Sequence, residues 1–332
     1  HQKSEIRKDR QKRSKVMEEQ KLATQREAIR LRSVQWLASQ FHKLCGHQLG
    51  EKNWFKHFES WLWNSRDSDD GVLPQNKDAC FDINLGQKLL KSKESPYRVA
   101  SICEQLGLAL QSARDKLKSK KRFKNSPIEV EKMEDREKFV LTCSKISVEI
   151  TVRHYEKLRR LFDKSRAHRE KLTFEQVLFC CLARYSALQG GHHRTGGFQA
   201  SIHEKCFDVL RDDFGCDFEC FASPFNCNMD RYCSKFEDVD SYFGSLGSFF
   251  DFKPDAGCYE ANPPFSETLV LRMTEHMEEL LDVADKTSNA LCFVVIIPQW
   301  TERESWNKLS QSKWMRKRVH LSQSDHGFCE GT

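Results

Sequence analysis

Cys258-Tyr259-Glu260-Ala261-Asn262-Pro263-Pro264-Phe265 is the stretch that decides the fold. Cys258 to Ala261 predicts a short strand. The two prolines end it, because proline fixes φ and removes a backbone donor. Ser266 to Ala284 then reads as an amphipathic helix, with Leu269, Met273, Met277, Leu280 and Leu281 on its apolar side. Leu291 to Ile297 is a continuous apolar run, expected of a parallel strand buried on both faces. It ends at Pro298-Gln299-Trp300. Upstream, Cys216 to Ala222 alternates like a strand and runs into Ser223-Pro224-Phe225-Asn226. Strand, loop, helix, buried strand, loop is the order of a doubly wound α/β sheet, whose ligands bind at the carboxyl ends of its strands. Both loops fall at such ends.

The tetrapeptide suits one kind of chemistry. An exocyclic amine on adenine is a poor nucleophile, because its lone pair is delocalised into the ring. To attack a methyl sulfonium it must turn toward tetrahedral geometry, with both N–H bonds aimed at acceptors. The Asn262 amide oxygen is one acceptor and the Pro263 carbonyl the other. Pro263 and Pro264 hold that carbonyl rigidly, so little entropy is lost on docking. Phe265 offers a face on which the displaced base can stack. The bland alternative is a proline-rich turn, which a chain with only 8 prolines seldom places between a strand and a helix. The methyl donor this chemistry calls for is S-adenosylmethionine.

The other loops carry weaker signals. A nucleotide-binding sheet normally has a glycine-rich turn after its first strand, and Ser223 to Asn226 has no glycine. Alone, it reads as a plain turn. Glycine occurs instead in Phe243-Gly244-Ser245-Leu246-Gly247-Ser248, just after Asp238 and Asp240, either of which could take the ribose hydroxyls of a cofactor. Trp300 could clamp a base or cap the core.

The rest of the chain differs in charge. Over 332 residues the net charge is +6, yet residues 200–332 hold 13 Lys and Arg against 23 Asp and Glu, a net of −10. Residues 1–199 hold 41 against 25, a net of +16. That asymmetry points to a polyanion-binding first half. Residues 1–65 read as helix, with Ile29, Val34, Leu37 and Phe41 at helical spacing beside Trp36. Residues 67–96 read as irregular, 98–122 as helix, and Glu131 to Leu188 as helix again. Gly190-Gly191 and Gly196-Gly197 mark the boundary, giving a basic helical domain over 1–197 and the sheet domain over 198–332. No apolar run approaches the roughly 20 residues of a membrane span, and the charge from Lys3 onward predicts no secretory leader. The 14 cysteines include no CxxC pair, and Cys206, Cys216, Cys220, Cys227 and Cys233 with His192, His193 and His203 match no structural zinc spacing, so no metal is expected.

Three stretches carry a family resemblance: Phe218 to Asn226, Asp240 to Ser245, and Phe250-Asp251-Phe252 through Glu260 to Phe265. Together they resemble the cap-specific adenosine N6-methyltransferase family, also called the phosphorylated CTD-interacting factor family, over residues 205–320. The resemblance implies a Rossmann-like class I methyltransferase sheet preceded by a basic all-helical domain. It implies methylation of the 6-amino group of the adenosine, often 2′-O-methylated, beside the 7-methylguanosine cap of mRNA. S-adenosyl-L-methionine would be the cofactor, the nucleus the location, and capped mRNA the partner. Association with the phosphorylated C-terminal domain of RNA polymerase II is implied through a region outside this chain. The family carries that association on a WW domain, and the tryptophans here lack the pair followed by proline, so a catalytic core without it is expected. Asn262, Pro263, Pro264 and Phe265 would position the amine. Ala222, Ser223, Pro224, Phe225, Asn226, Asp240, Phe243 and Gly244 would line the cofactor. Glu267, Trp300, Thr301 and Glu302 would face the cap or first nucleotide, with Arg32 and Arg66 as cap contacts. Two other readings stand beside this one: a DNA-adenine or protein-glutamine methyltransferase, which usually carries a glycine-rich first loop, and a catalytically dead sheet that only binds RNA.

Overall fold

The computed structural model describes residues 23–50, 53–64, 72–73, 83–92, 94–118, 127–165, 172–191, 200–322 and 324–330. The chain divides into two compact units, His1–Val152 with His168–Gly196, and Arg153–Ala167 with Gly197–Thr332. No described helix is long and apolar enough to cross a membrane.

In the first unit, helix α1 runs over residues 23–41 and widens through a π-helical turn at His42–Gly46 into His47–Leu49. Gly50 stops it with φ of 84°, a conformation that costs glycine little. Over its described part the helix expected across residues 1–65 is therefore two helices, the second being α2, Trp54–Asn64, and residues 1–22 lie outside the described residues. Phe41, Phe58 and Trp61 meet as a buried aromatic cluster between them. A third helix, α3, spans Ile83–Lys91, where an irregular stretch was expected; Leu85 and Leu89, one turn apart, bury against the core. Helix α4, Pro96–Lys118, begins with proline at its first position and with Ser95 accepting the Arg98 N–H.

The first half is not all helical. Strands β1 (Glu129–Met133), β2 (Lys138–Cys143) and β3 (Ile146–Thr151) form an antiparallel sheet in that order. Leu141 and Cys143 bury from β2, and Ile146, Val148 and Ile150 from β3. That period of two overrides the helical reading. The β2–β3 connection is only Ser144-Lys145, both at positive φ (51° and 65°). β3 runs without a loop into helix α5, Val152–Lys164, which belongs to the second unit from Arg153 on. Helix α6, Phe174–Leu188, starts at a capping box between Thr173 and Gln176 and is buried on nearly every side. Inside the unit Arg184 and Arg30 share the buried carboxylate of Glu27.

The second unit is built on a parallel sheet. Its elements are β4 (Ala200–Ile202), α7 (Glu204–Phe214), β5 (Cys216–Glu219), β6 (Arg231–Tyr232), β7 (Gly257–Ala261), α8 (Glu267–Lys286), β8 (Leu291–Val295), α9 (Glu304–Ser310) and β9 (Phe328–Glu330). The order β6-β5-β7-β8 is parallel throughout. A parallel bridge from Tyr232 to Ser245 extends it beyond β6. The chain therefore steps outward from β5, then returns to β5's other side with β7 and β8. The switch in direction lies between β5 and β7.

Helices cover both faces. Phe207 and Leu210 of α7 pack on Cys216 and Met229, with Cys258 and Val294 at the margin. Val270, Met273 and Met277 of α8 pack on Phe218, Cys220, Cys233, Phe249 and Ala261. One expectation fails: β8 is not buried on both faces. It is the edge strand, with Cys292 exposed and its other four residues half-buried, because its outer flank has no strand beside it among the described residues. β9 pairs instead with β4, antiparallel, from Ala200↔Glu330 to Ile202↔Phe328.

Candidate active site

The sheet's hydrogen bonding continues past its strand ends, so three loops leave the same edge side by side. The Cys220 N–H donates to the Glu260 carbonyl at 2.7 Å, the Ala222 N–H to Cys233 at 2.9 Å, and the Ile296 N–H to Ala261 at 3.0 Å. In an open α/β sheet this edge, at the switch point, is where ligands bind.

Asn262, Pro263, Pro264 and Phe265 leave β7 there. Pro263 is buried, Asn262 and Pro264 are half-buried, and Phe265 is 42% exposed. The Ser266 N–H takes the Pro264 carbonyl at 2.7 Å before α8 begins. Among the described residues the Asn262 side chain has no hydrogen-bond partner, so its amide is available to a ligand. The Phe265 ring stands edge-on to Trp300 at 6.3 Å and to Phe328 at 5.8 Å.

The loop after β5 is different. Ser223, Pro224 and Phe225 are buried, with Ala222 and Asn226 half-buried. The Asn226 Oδ1 accepts the Ser223 N–H at 2.7 Å and its hydroxyl at 3.0 Å, and Ser223 Oγ accepts the N–H groups of Phe225 and Asn226. Lys157 of α5 donates its ammonium to the carbonyls of Phe225 and Cys227 at 2.8 and 2.7 Å. The loop keeps its shape without glycine by satisfying its polar groups internally.

The remaining candidates divide. Asp240 is fully buried and its Oδ2 accepts the Phe236 N–H, whereas Asp238 is exposed. Phe243 is buried, and its carbonyl accepts the Tyr232 hydroxyl at 3.1 Å; Gly244 follows with φ of 97°. Glu267 accepts the Ser305 N–H at 2.9 Å and pairs with Arg303 at 3.5 Å, tying the start of α8 to the start of α9. Arg303 lies over the Trp300 ring at 4.4 Å. Thr301 and Glu302 are exposed and bonded to each other. Arg32, in the first unit, is exposed and donates to the Ser144 carbonyl at 2.8 Å. Arg66 lies outside the described residues.

Three features escaped the sequence. Lys157 is one of many basic residues on a helix, and nothing local marks its partners. Phe328 reaches Phe265 only because β9 returns to β4. Glu219 and Glu260, register partners on β5 and β7, are both buried. Glu219 accepts the N–H groups of Asn228 and Met229 at 2.7 Å each, yet burial pushes its carboxyl up to about 7. Burial, then the neighbouring Glu219, pushes Glu260 up as well, and its Oε2 has no hydrogen-bond partner among the described residues. Among the described residues no three His, Cys, Asp or Glu side chains are grouped to hold a metal ion. Cys220, Cys227 and Cys233 are buried thiols raised by desolvation.

Comparison with known proteins adds two findings. Proteins of Mus musculus and Homo sapiens, both named mRNA (2'-O-methyladenosine-N(6)-)-methyltransferase, are each 40% identical to this chain over 165 residues. Those residues are 48% of this chain and 23% of each relative, so the match spans about a quarter of the curated proteins. A family model described as "Phosphorylated CTD interacting factor 1 WW domain" matches residues 157–331, slightly more than half the chain. This corrects the expectation of a core lacking the WW domain: the match that bears the WW name runs through α5 and the whole parallel sheet. A search for paired tryptophans had no means of finding it. The chain belongs to the phosphorylated CTD interacting factor 1 WW domain family.

Proposed function

We propose that the second unit is a Rossmann-like methyltransferase domain that uses S-adenosyl-L-methionine to methylate the 6-amino group of the adenosine, often 2′-O-methylated, next to the 7-methylguanosine cap of mRNA. One observation carries the reading: an Asn-Pro-Pro-Phe loop at the switch-point edge, with its amide unpartnered among the described residues and its aromatic ring 42% exposed. The names of the mouse and human relatives support the same substrate class. The family's description supports association with the phosphorylated polymerase tail, and hence the nucleus.

The residues present fit the cofactor. A sheet of this strand order binds nucleotides beyond the carboxyl ends of its strands at the switch point, and the loop after β5, pinned by Lys157, would form one wall of such a site. When bound, the cofactor supplies an electrophilic methyl on sulfur. The Asn262 amide oxygen and the Pro263 carbonyl accept the two N–H bonds of the target amine and hold its lone pair toward that methyl. Because these bonds strengthen as nitrogen becomes tetrahedral, they act on the transition state rather than on binding. Phe265 stacks on the base after it leaves its neighbours. No general base is needed, since the proton leaves after transfer. In the first unit the excess of basic residues would hold RNA phosphates.

The test is methyl transfer from labelled S-adenosylmethionine to RNA beginning with capped adenosine, beside the same RNA uncapped. Transfer confined to the capped RNA is expected. Equal transfer to both, or transfer only to DNA or to a glutamine peptide, overturns the assignment. RNA affinity should also fall steeply between low and physiological salt; a flat response would remove the phosphate-holding role from the first half.

A further inference from the structure

Three cysteines stand in a row across the parallel sheet. Cys216 on β5 is the register partner of Cys258 on β7, and Cys258 is the register partner of Cys292 on β8. They run from buried (Cys216) through half-buried (Cys258) to exposed (Cys292). The row lies on the α7 face, away from the face that α8 covers. Among the described residues no strand flanks β8 on its outer side, and Cys292 is exposed there. The proposed methyl transfer uses none of these sulfurs.

A shared metal ion does not suit them. The outer two sulfurs are separated by two strand spacings, roughly 10 Å, whereas thiolates on one zinc lie about 2.3 Å from it. A bond between neighbours does suit them. Paired parallel strands lie about 4.8 Å apart, within the roughly 4.4–6.8 Å between Cα atoms that a disulfide spans. Cβ atoms held at strand spacing are wider than a relaxed disulfide prefers, so such a bond would be readily reduced.

We propose that Cys292 and Cys258 form a peroxide-responsive dithiol, with Cys292 as the attacking sulfur and Cys258 as the resolving one. The Cys292 thiolate attacks one oxygen of a peroxide, the O–O bond breaks, and hydroxide leaves, giving a sulfenic acid on Cys292. The Cys258 sulfur then attacks the Cys292 sulfur, the S–O bond breaks, and water leaves with the proton of Cys258. The two sulfurs lose two electrons, which reduce one peroxide to a hydroxide and a water, and the hydroxide becomes the second water on taking the proton Cys292 released as it became a thiolate. The order of attack follows from access and from charge. Cys292 is the exposed thiol of the pair, and its register partner Cys258 brings it down to about 6, while Cys258, set between two thiols, is raised and keeps its proton. Cys206 and Cys329 are also exposed but have no partner thiol across a strand, which makes them internal controls.

The test treats the whole chain with one equivalent of hydrogen peroxide, caps remaining thiols with iodoacetamide, and maps the peptides. A Cys258–Cys292 cross-link is expected, with a mass loss of about 2 Da that dithiothreitol reverses. In Cys258→Ser, Cys292 should stop at the sulfenic acid and be trapped by dimedone ahead of Cys206 and Cys329. Cys292 is exposed, so Cys292→Ser should keep the wild-type melting temperature and lose the cross-link. The proposal is overturned if Cys206 or Cys329 reacts before Cys292, if wild-type Cys292 accumulates as the dimedone adduct without a cross-link, or if Cys258→Ser loses the same mass as wild type. None of these readouts requires methyl transfer, so the result is independent of the proposed reaction.

Discussion

Two loops leave neighbouring strands of one parallel sheet, and they treat their polar groups in opposite ways. Ser223 to Asn226 turns every hydrogen-bonding group it can inward: hydroxyl, amide and backbone close on one another, and Lys157 takes two of the local carbonyls. Asn262 to Phe265 leaves its amide unpartnered among the described residues and its ring partly in solvent, and it is stiffened by two prolines instead. The first loop is rigid because its groups are satisfied. The second is rigid for covalent reasons, which is what lets its acceptors stay free. A buried amide without a partner would cost about 1–3 kcal/mol, so one left half-exposed is cheap to keep and ready for a ligand.

The comparison breaks most sharply at Asn262. Asn262→Ala should lower transfer by at least about 10²-fold, on the scale of losing one preorganised donor or acceptor at a reacting centre. RNA affinity and melting temperature should stay close to wild type, since the side chain has no hydrogen-bond partner among the described residues. A parallel loss of RNA binding would mean the residue binds rather than reacts.

Beneath the two loops, Glu219 and Glu260 set the pH dependence of stability. Glu219 titrates near 4.5 when unfolded and at about 7 when folded, so the native state holds a proton that the unfolded chain releases. Its contribution is complete below about pH 4.5 and is lost as pH rises through 7, worth about 3 kcal/mol. Glu260, shifted in the same direction, adds to the loss. Urea melts at pH 5 and pH 8 should show the second unit weaker at pH 8. The Glu219→Gln, Glu260→Gln double variant should remove most of that difference; an unchanged slope would place the protons elsewhere.

Ser223→Ala tests the closed loop. It strands the N–H groups of Phe225 and Asn226 and should cost about 2 kcal/mol of stability. The same change should raise the KM for S-adenosylmethionine more than it lowers kcat, the reverse of the Asn262 result. Equal effects of the two variants would erase the distinction between shaping and reacting loops. The smallest effect is expected for Phe265→Ala, about 1 kcal/mol in kcat/KM, the low end for a base stacked on a ring that stays 42% exposed. Phe265→Leu should lose nearly as much if stacking is the role, and almost nothing if the ring only fills space.

Much of the second unit was legible because its signals are local. A diproline after a strand, a 3.6-residue apolar period and an apolar run each need fewer than 20 residues to read. The burial of β8 was misjudged for the opposite reason: an apolar run does not say whether a strand has two neighbours or one. In the first unit the alternation of Ile146, Val148 and Ile150 was present, but the turn before it, Ser144-Lys145, takes positive φ twice with neither glycine nor asparagine. Without that punctuation the strands passed for helix. Of the site, Asn262 to Phe265 was readable because four adjacent residues carry it. Glu219 opposite Glu260, and Phe328 against Phe265, depend on register across the sheet, which no short window contains.

The strand order also bears on how the protein acquires its shape. β2 and β3 meet across two residues, a closure that a hairpin completes in microseconds. Cys216 must wait for Cys258, which comes only after β6 has paired on β5's other side, before the crevice edge exists at all. A nascent chain that has emerged only as far as Phe252 therefore has a first strand and no place for a ligand, and a small molecule that favours the finished edge can speed nothing until the return crossing is made.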